Sequence, residues 1–335
     1  MNYKEIIKEK EYDFLRKNEH LKRMMLLGLG GSHAYGTNVE KSDLDIRGIA
    51  LNSKEEILLG HGFEQVCDNQ TDTVIYSFNK IVSLLTNCNP NTIEILGLKP
   101  EHYLFVSNEG KQLLENKEIF LSQRAAYSFG GYANQQLRRL ENCAAHKVSQ
   151  EEREKHLLRT LQRVQESFEG KEYDGCKAIK LYTDKSPRED MESEIFFDTE
   201  LNHCSLRDFV SMYGELNNVV KSYNKLGDRN SKAMEHGKIA KHSMHLVRLY
   251  YMCFDILEKK EINTYREKEH DLLMDIRNGK YINENNQPLP EFFEIIDGLE
   301  KRLDYAKANT DLPKAPDINK INDFVMEINE KIVRK

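Results

Sequence analysis

The apolar run Met24 to Leu29 breaks at Gly30-Gly31-Ser32 and is followed by Ser42-Asp43-Leu44-Asp45, the start of a second apolar run that ends at Leu51. Both runs are too short for core helices and read as strands, Met24 to Leu29 and Leu44 to Leu51. On a strand, side chains at i and i+2 share a face, roughly 6.5 Å apart. Asp43 and Asp45 are such a pair. Two carboxylates so placed can hold divalent ions about 4 Å apart, the separation that clamps the attacking and leaving oxygens in phosphoryl transfer. The backbone N–H groups of a glycine-rich turn opening a helix bind phosphate oxygens without a charged side chain. A phosphate cradle and a pair of metal-binding acids therefore stand close together, which is the minimum equipment for handling a nucleoside triphosphate.

Three commoner motifs fail. The dinucleotide fingerprint read from Gly28 and Gly30 meets His33 where its third glycine belongs, and the P-loop pattern read from Gly31 and Gly36 meets Thr37-Asn38, with no lysine. Asp43-x-Asp45-x-Arg47-Gly48 imitates a calcium loop, but its fifth position is cationic and its twelfth is Lys54.

The surviving pattern, Gly31-Ser32-His33-Ala34-Tyr35-Gly36-Thr37 followed by Ser42-Asp43-Leu44-Asp45-Ile46-Arg47-Gly48, resembles the nucleotidyltransferase superfamily typified by DNA polymerase β. Within it, the chain resembles the branch of nucleotidyltransferases assigned to an RNA-repair pathway. Asn89-Pro90-Asn91 with Glu94, and Lys241 to Leu249, support the same resemblance. The resemblance implies that Asp43 and Asp45 hold magnesium, or manganese, and that a third carboxylate from a neighbouring strand completes the set. Asp72, just before the apolar stretch Thr73 to Tyr76, is the candidate, with Asp68 and Glu64 in reserve; a turn acid closing a loop is the ordinary reading of such a residue. Gly31 and Ser32 are expected to contact phosphate. His33 takes a position where many relatives carry arginine and is expected, with Gly31 and Ser32, to bind nucleotide. The pattern gives Tyr35 and Arg47 no specific role.

At about 100° per residue, Lys238, Lys241, His242, His245 and Arg248 fall on one side of a helix, with Ile239, Leu246, Val247, Tyr250 and Phe254 opposite. A basic stripe is commonly a solvated face; beside a triphosphate site, and within the resemblance, Lys238, Lys241, His245 and Arg248 become candidates for contact with phosphate or RNA backbone.

Length, charge and hydropathy set the frame. A chain of 335 residues suggests two domains. Its 39% hydrophobic and 31% charged residues suit a helix-rich protein with ample core material. It has no apolar run of about 18 residues to span a membrane. Met1 to Lys10 lacks the apolar core of a signal peptide. Six cysteines without a C-x-x-C pair read as reduced thiols, and the expected location is cytoplasmic. The net charge of −6 argues against a protein coated in nucleic acid, while Lys221 to Arg248 carries a local +5.

The expected fold class is α+β (mixed): a small α/β head with a short mixed sheet over 1–120, the nucleotidyltransferase domain, and a larger all-helical domain over 121–335 for nucleotide and acceptor binding. An amphipathic helix is expected over 3–22, a polar irregular stretch over 52–69, and helices after residue 120, with Glu194 to Thr199 a lone strand or extended linker. The expected activity is metal-dependent transfer of an NMP from an NTP to an acceptor hydroxyl, with release of pyrophosphate. The resemblance points to an RNA 3′ end, tRNA-like or broken, as acceptor. Two other readings stay open: a non-catalytic nucleotide- or RNA-binding module, and a nucleotidyltransferase acting on a protein or small molecule. Degenerate modules lose an acid of the D-x-D pair, and both acids are present. Neither the choice of nucleotide nor the oligomeric state is legible.

Overall fold

Met24–Leu29 (β1) is a strand covered on both faces: Met25, Leu26, Leu27 and Leu29 are all buried, so the run needs no polar alternation. Around it in a computed structural model lie Ile46–Ala50 (β2), Gln65–Asp68 (β3), Thr73–Ser77 (β4) and Tyr103–Val106 (β5), in the spatial order β3-β4-β2-β1-β5. The structure describes residues 3–145, 150–166, 179–188, 191–200, 203–224, 239–284 and 286–334. β1 runs antiparallel to β2 and β5, and β3 antiparallel to β4, but β2 and β4 are parallel, with Ile46 beside Thr73. This one parallel pair makes the sheet mixed. It also brings the residues just before β2 and β4 to the same end of the sheet.

Two compact units divide the chain: Met1–Asn134 with Met244–Lys280 and Pro290–Lys335, and Gln135–Ser243 with Tyr281–Leu289. The first contains the five-stranded sheet. Ser77 caps the helix Phe78–Thr86, which turns Phe78, Ile81 and Leu85 into its core. The helix Ile318–Val333 starts where Asp317 accepts from the amides of Asn319 and Lys320, and buries Ile321, Phe324, Ile328 and Ile332 at three- and four-residue spacing. Burying such side chains stabilises by roughly 2 kcal/mol each, and Phe324 meets the ring of Phe78 edge-on at 6.3 Å. The second unit pairs Lys180–Lys185 (β6) with Ser193–Asp198 (β7) in a hairpin, with Leu157, Leu161, Leu181, Met212 and Val219 as its small core.

Several sequence expectations change. The single cut expected at residue 120 differs from the observed division, because the last two helices and most of Ile239–Lys259 return to the unit that holds the sheet. The expected helix over 3–22 is four short turns: the Arg16 guanidinium donates to the carbonyls of Ile7 and Lys8, which ends the first turn, and Asn18 caps a new one. β3 was hidden by its polar, half-exposed sequence Gln-Val-Cys-Asp, and β5 by its length of four residues. Glu194 to Thr199 is no lone strand; it pairs with β6, which the sequence reading missed. The expected strand Leu44 to Leu51 begins only at Ile46, so Asp43 and Asp45 stand on the segment leading into β2. Among the described residues no helix is long and apolar enough to cross a membrane, and Cys67, Cys88, Cys204 and Cys253 are free thiols.

Candidate active site

Gly31 opens the short helix Gly31–Tyr35 with φ +51°, a left-handed conformation that favours glycine. A Cβ built there would lie 1.8 Å from Asp45 Oδ2 and 2.6 Å from its Cγ, so the Asp45 carboxylate rests directly against the bend. The Gly30 amide donates to the Asp45 carbonyl at 2.8 Å, which ties the bend to the start of β2 by the main chain. Ser32 is buried within this turn, and its carbonyl accepts from the Thr37 amide at 3.0 Å.

The parallel register supplies the second acid. Since Ile46 pairs with Thr73, Asp45 and Asp72 precede neighbouring strands at equivalent positions. Asp72 has φ +44°, a backbone conformation that short polar side chains tolerate best, and its carboxylate is mostly exposed. Between the two acids lies Arg47. Its Nη2 stands 3.5 Å from Asp45 Oδ1 and 3.3 Å from Asp72 Oδ1, and its Nη1 donates to the carbonyls of Ile46 at 2.9 Å and Asp72 at 2.5 Å. Asp43 is exposed, two residues upstream of Asp45. The reserve candidates do other work. Asp68 accepts from the Thr71 amide and hydroxyl at the β3–β4 turn, and Glu64 pairs with Lys80 at 2.8 Å.

Among the described residues no three His, Cys, Asp or Glu side chains form a ready metal site. Asp45 and Asp72 converge instead on a cation, the Arg47 guanidinium. Carboxylate oxygens are the donor type that a hard divalent ion such as magnesium takes, and here Arg47 already offsets part of their charge. The two acids that could hold such an ion are Asp45 and Asp72; the expected set of Asp43, Asp45 and Asp72 is not assembled as a three-carboxylate site in the structure.

His33 does not face solvent. Its Nδ1 lies 3.2 Å from the Tyr3 hydroxyl and its Nε2 3.4 Å from the Ser42 carbonyl, so both ring nitrogens are engaged inside the fold. The expected basic stripe also divides. Lys238 lies outside the described residues, as do Lys225, Arg229 and Lys232. Lys241 is exposed, whereas Arg248 is buried, with its guanidinium 3.4 Å from the centre of the Tyr35 ring. Arg248 Nη2 lies 2.7 Å from His245 Nδ1; a guanidinium only donates, so the His245 nitrogen accepts and its proton sits on Nε2. Nothing in the wheel showed that Tyr35 would cover the helix at Arg248.

Tyr35 is the hub of this buried group. Its hydroxyl donates to Glu94 Oε2 at 2.5 Å and lies 2.8 Å from Met252 Sδ. Burial pushes the Glu94 carboxyl above the usual carboxylate range, against the opposing pull of Arg248, the Tyr35 hydroxyl and Arg47. Burial likewise pushes the Tyr35 hydroxyl well up. Arg266 closes the far side, pairing with Asp255 at 2.5 Å while its amide donates to the Tyr35 carbonyl at 3.1 Å. The helix that follows runs from His270 to Arg277.

Arg47, Tyr35 and Arg277 are the residues whose roles sequence reasoning missed. Arg47 carried a signal, since it follows Asp45 by two residues and so shares its side of the chain. Arg277, which reaches the Thr37–Ser42 loop, carried none.

A family model described as RlaP, RNA repair pathway DNA polymerase beta family, matches residues 4–172. No curated protein and no solved structure matches the chain.

Proposed function

This chain belongs to the RNA repair pathway DNA polymerase beta family, and from that premise we propose that it transfers a nucleoside monophosphate from an NTP to the 3′ hydroxyl of an RNA, releasing pyrophosphate. The observation that carries the reading is the Asp45 carboxylate seated against the Gly31 bend, with Asp72 beside it through the parallel β2–β4 register. A phosphate cradle and two acids from separate strands thus meet at one end of the sheet.

In this reading the turn around Gly31 and Ser32 holds triphosphate oxygens through main-chain N–H groups. Asp45 and Asp72, with Asp43, hold magnesium or manganese; when bound, the metal would offset charge on the departing pyrophosphate and lower the pKa of the attacking hydroxyl. Arg47 keeps the two acids from repelling each other and holds Asp72 by its carbonyl as well as its carboxylate. Asp72, held by Arg47 but mostly exposed, is the acid assigned to take the proton of the acceptor hydroxyl. The buried Tyr35–Glu94–Arg248 group fixes the helix that follows the bend. Among the described residues of the stripe, Lys241 is exposed and is the cation assigned to meet phosphate or RNA backbone.

The test is label transfer. The chain, incubated with magnesium, α-labelled NTPs and a pool of cellular RNA, should label RNA, and Asp45→Ala should abolish the label while retaining the wild-type fold by circular dichroism. Label that persists after removal of both Asp43 and Asp45 sinks the proposal. Label appearing only on protein or metabolite acceptors would leave the chemistry standing and replace the acceptor.

A further inference from the structure

We propose that Arg277 is a positioning residue for Asp43: by gripping both ends of the Thr37–Ser42 loop it sets where that carboxylate stands relative to the Gly31 bend. The proposal rests on the nucleotidyl-transfer reading above and adds a residue that lies outside the matched stretch 4–172.

The loop has little of its own to hold it. Asn38, Val39, Glu40 and Lys41 are all exposed, so no apolar side chain anchors its tip. Its inner bonds are a turn in which the Ser42 amide donates to the Val39 carbonyl at 2.9 Å and the Val39 amide donates to Ser42 Oγ at 2.8 Å. Each end has one further tie, the Thr37 amide donating to the Ser32 carbonyl at 3.0 Å and His33 Nε2 lying 3.4 Å from the Ser42 carbonyl, but neither joins one end to the other. Arg277, the last residue of the helix His270–Arg277, bridges the two ends: Nη1 donates to the Thr37 carbonyl at 2.7 Å and Nη2 to Ser42 Oγ at 3.0 Å. Ser42 is bonded directly to Asp43 in the chain, so the second contact acts one residue from the carboxylate.

Two features say that the geometry, rather than charge neutralisation, is the use of this arginine. Among the described residues no carboxylate lies within ion-pairing distance of it; both of its partners are neutral oxygens. The side chain is also partly buried, and burial, then the nearby Arg248, pushes its pKa below the usual guanidinium value. A cation held at that electrostatic cost without an acid is explained by what only a planar fork can do, which is to reach two acceptors at the two ends of one loop. A lysine in its place presents its three donors from one nitrogen, not from the two separated nitrogens that hold the loop ends here.

The experiment measures Mn²⁺ binding to the full chain by electron paramagnetic resonance, without nucleotide, for wild type, Asp45→Ala, Arg277→Gln, Arg277→Lys and Ser42→Ala. Arg277→Gln and Arg277→Lys should each raise the Mn²⁺ dissociation constant about tenfold, the equivalent of ~1.4 kcal/mol. Ser42→Ala removes the acceptor of Arg277 Nη2 together with that of the Val39 amide, so it should shift the constant in the same direction by at least as much, and combining it with Arg277→Lys should add little to Ser42→Ala alone. In label transfer the variants should lose apparent metal affinity more than the rate at saturating metal, a split that general destabilisation would not give. If Arg277→Gln fails to fold, Ser42→Ala decides. Wild-type Mn²⁺ affinity in Arg277→Lys or in Ser42→Ala overturns the proposal. Asp45→Ala separates the two levels: if it binds Mn²⁺ as wild type does, the nucleotidyl-transfer reading has failed, whereas loss in Asp45→Ala with retention in the clamp variants refutes Arg277 alone.

Discussion

Replacing Gly31 by alanine probes the contact on which the site is built. Two costs follow from the structure. The first is conformational: a φ of +51° costs an alanine about 1 kcal/mol relative to glycine. The second is steric. The new Cβ would stand 1.8 Å from Asp45 Oδ2, where ordinary contact begins at 3.4 Å, so the carboxylate must retreat by roughly 1.5 Å or the bend must open by as much. The Gly30–Asp45 main-chain hydrogen bond at 2.8 Å opposes opening, which leaves the side chain to move. Misplacing a catalytic group by about 1 Å costs on the order of 100-fold in rate. Gly31→Ala should therefore lose at least that factor in label transfer and bind Mn²⁺ more weakly, while its melting temperature falls by only a few degrees. Gly60→Ala is the control. Gly60 has φ +68° with nothing within 4 Å of a built Cβ, so it carries the conformational cost alone and should leave activity intact. Wild-type transfer by Gly31→Ala would refute the claim that Asp45 works from its seat against the bend.

Three further outcomes follow from the same contacts. Arg47→Gln removes the cation between Asp45 and Asp72, so magnesium should raise its melting temperature more than that of wild type; equal shifts would mean that the two acids do not share an ion. Arg248→Ala should destabilise the fold by about 2–4 kcal/mol in urea titration, through the lost stacking on Tyr35 and the stranded Glu94. Lys241→Ala, at an exposed position, should change stability by less than about 0.5 kcal/mol; the reverse ranking would return Arg248 to the surface. Glu94 gives a pH signature. Its carboxyl titrates above the ordinary 4.5 in the folded chain, so its stabilising contribution is complete below 4.5 and is lost as pH rises through the folded value. Against Glu94→Gln, which stays neutral, wild type should lose melting temperature over that window and then level off; parallel curves for the two proteins would show that Glu94 titrates normally.

The bend at Gly31 was legible because it reports a local requirement, a left-handed turn, and the acids at 43 and 45 because their spacing is written in the chain. The long helices after residue 120 were legible for a similar reason, since a repeating apolar spacing is written within one segment. β3 and β6 were not, because a half-exposed strand is defined by the partner it hydrogen-bonds and not by its own composition. Asp72 lay in between: its position before an apolar stretch was visible, but only the parallel pairing of Ile46 with Thr73 placed it beside Asp45.

What the sequence determined by itself is thus the chemistry available at the bend, since turn geometry and side-chain type are properties of neighbours along the chain. What tertiary structure alone decided is which charges share a space. Arg248 reads as surface on its own helix and is covered by Tyr35 from more than two hundred residues earlier. Arg277 reads as an ordinary helix end and grips a loop equally distant in the chain. Burial and hydrogen-bond partnership depend on what packs across an element, and a one-dimensional pattern records only the element's own side.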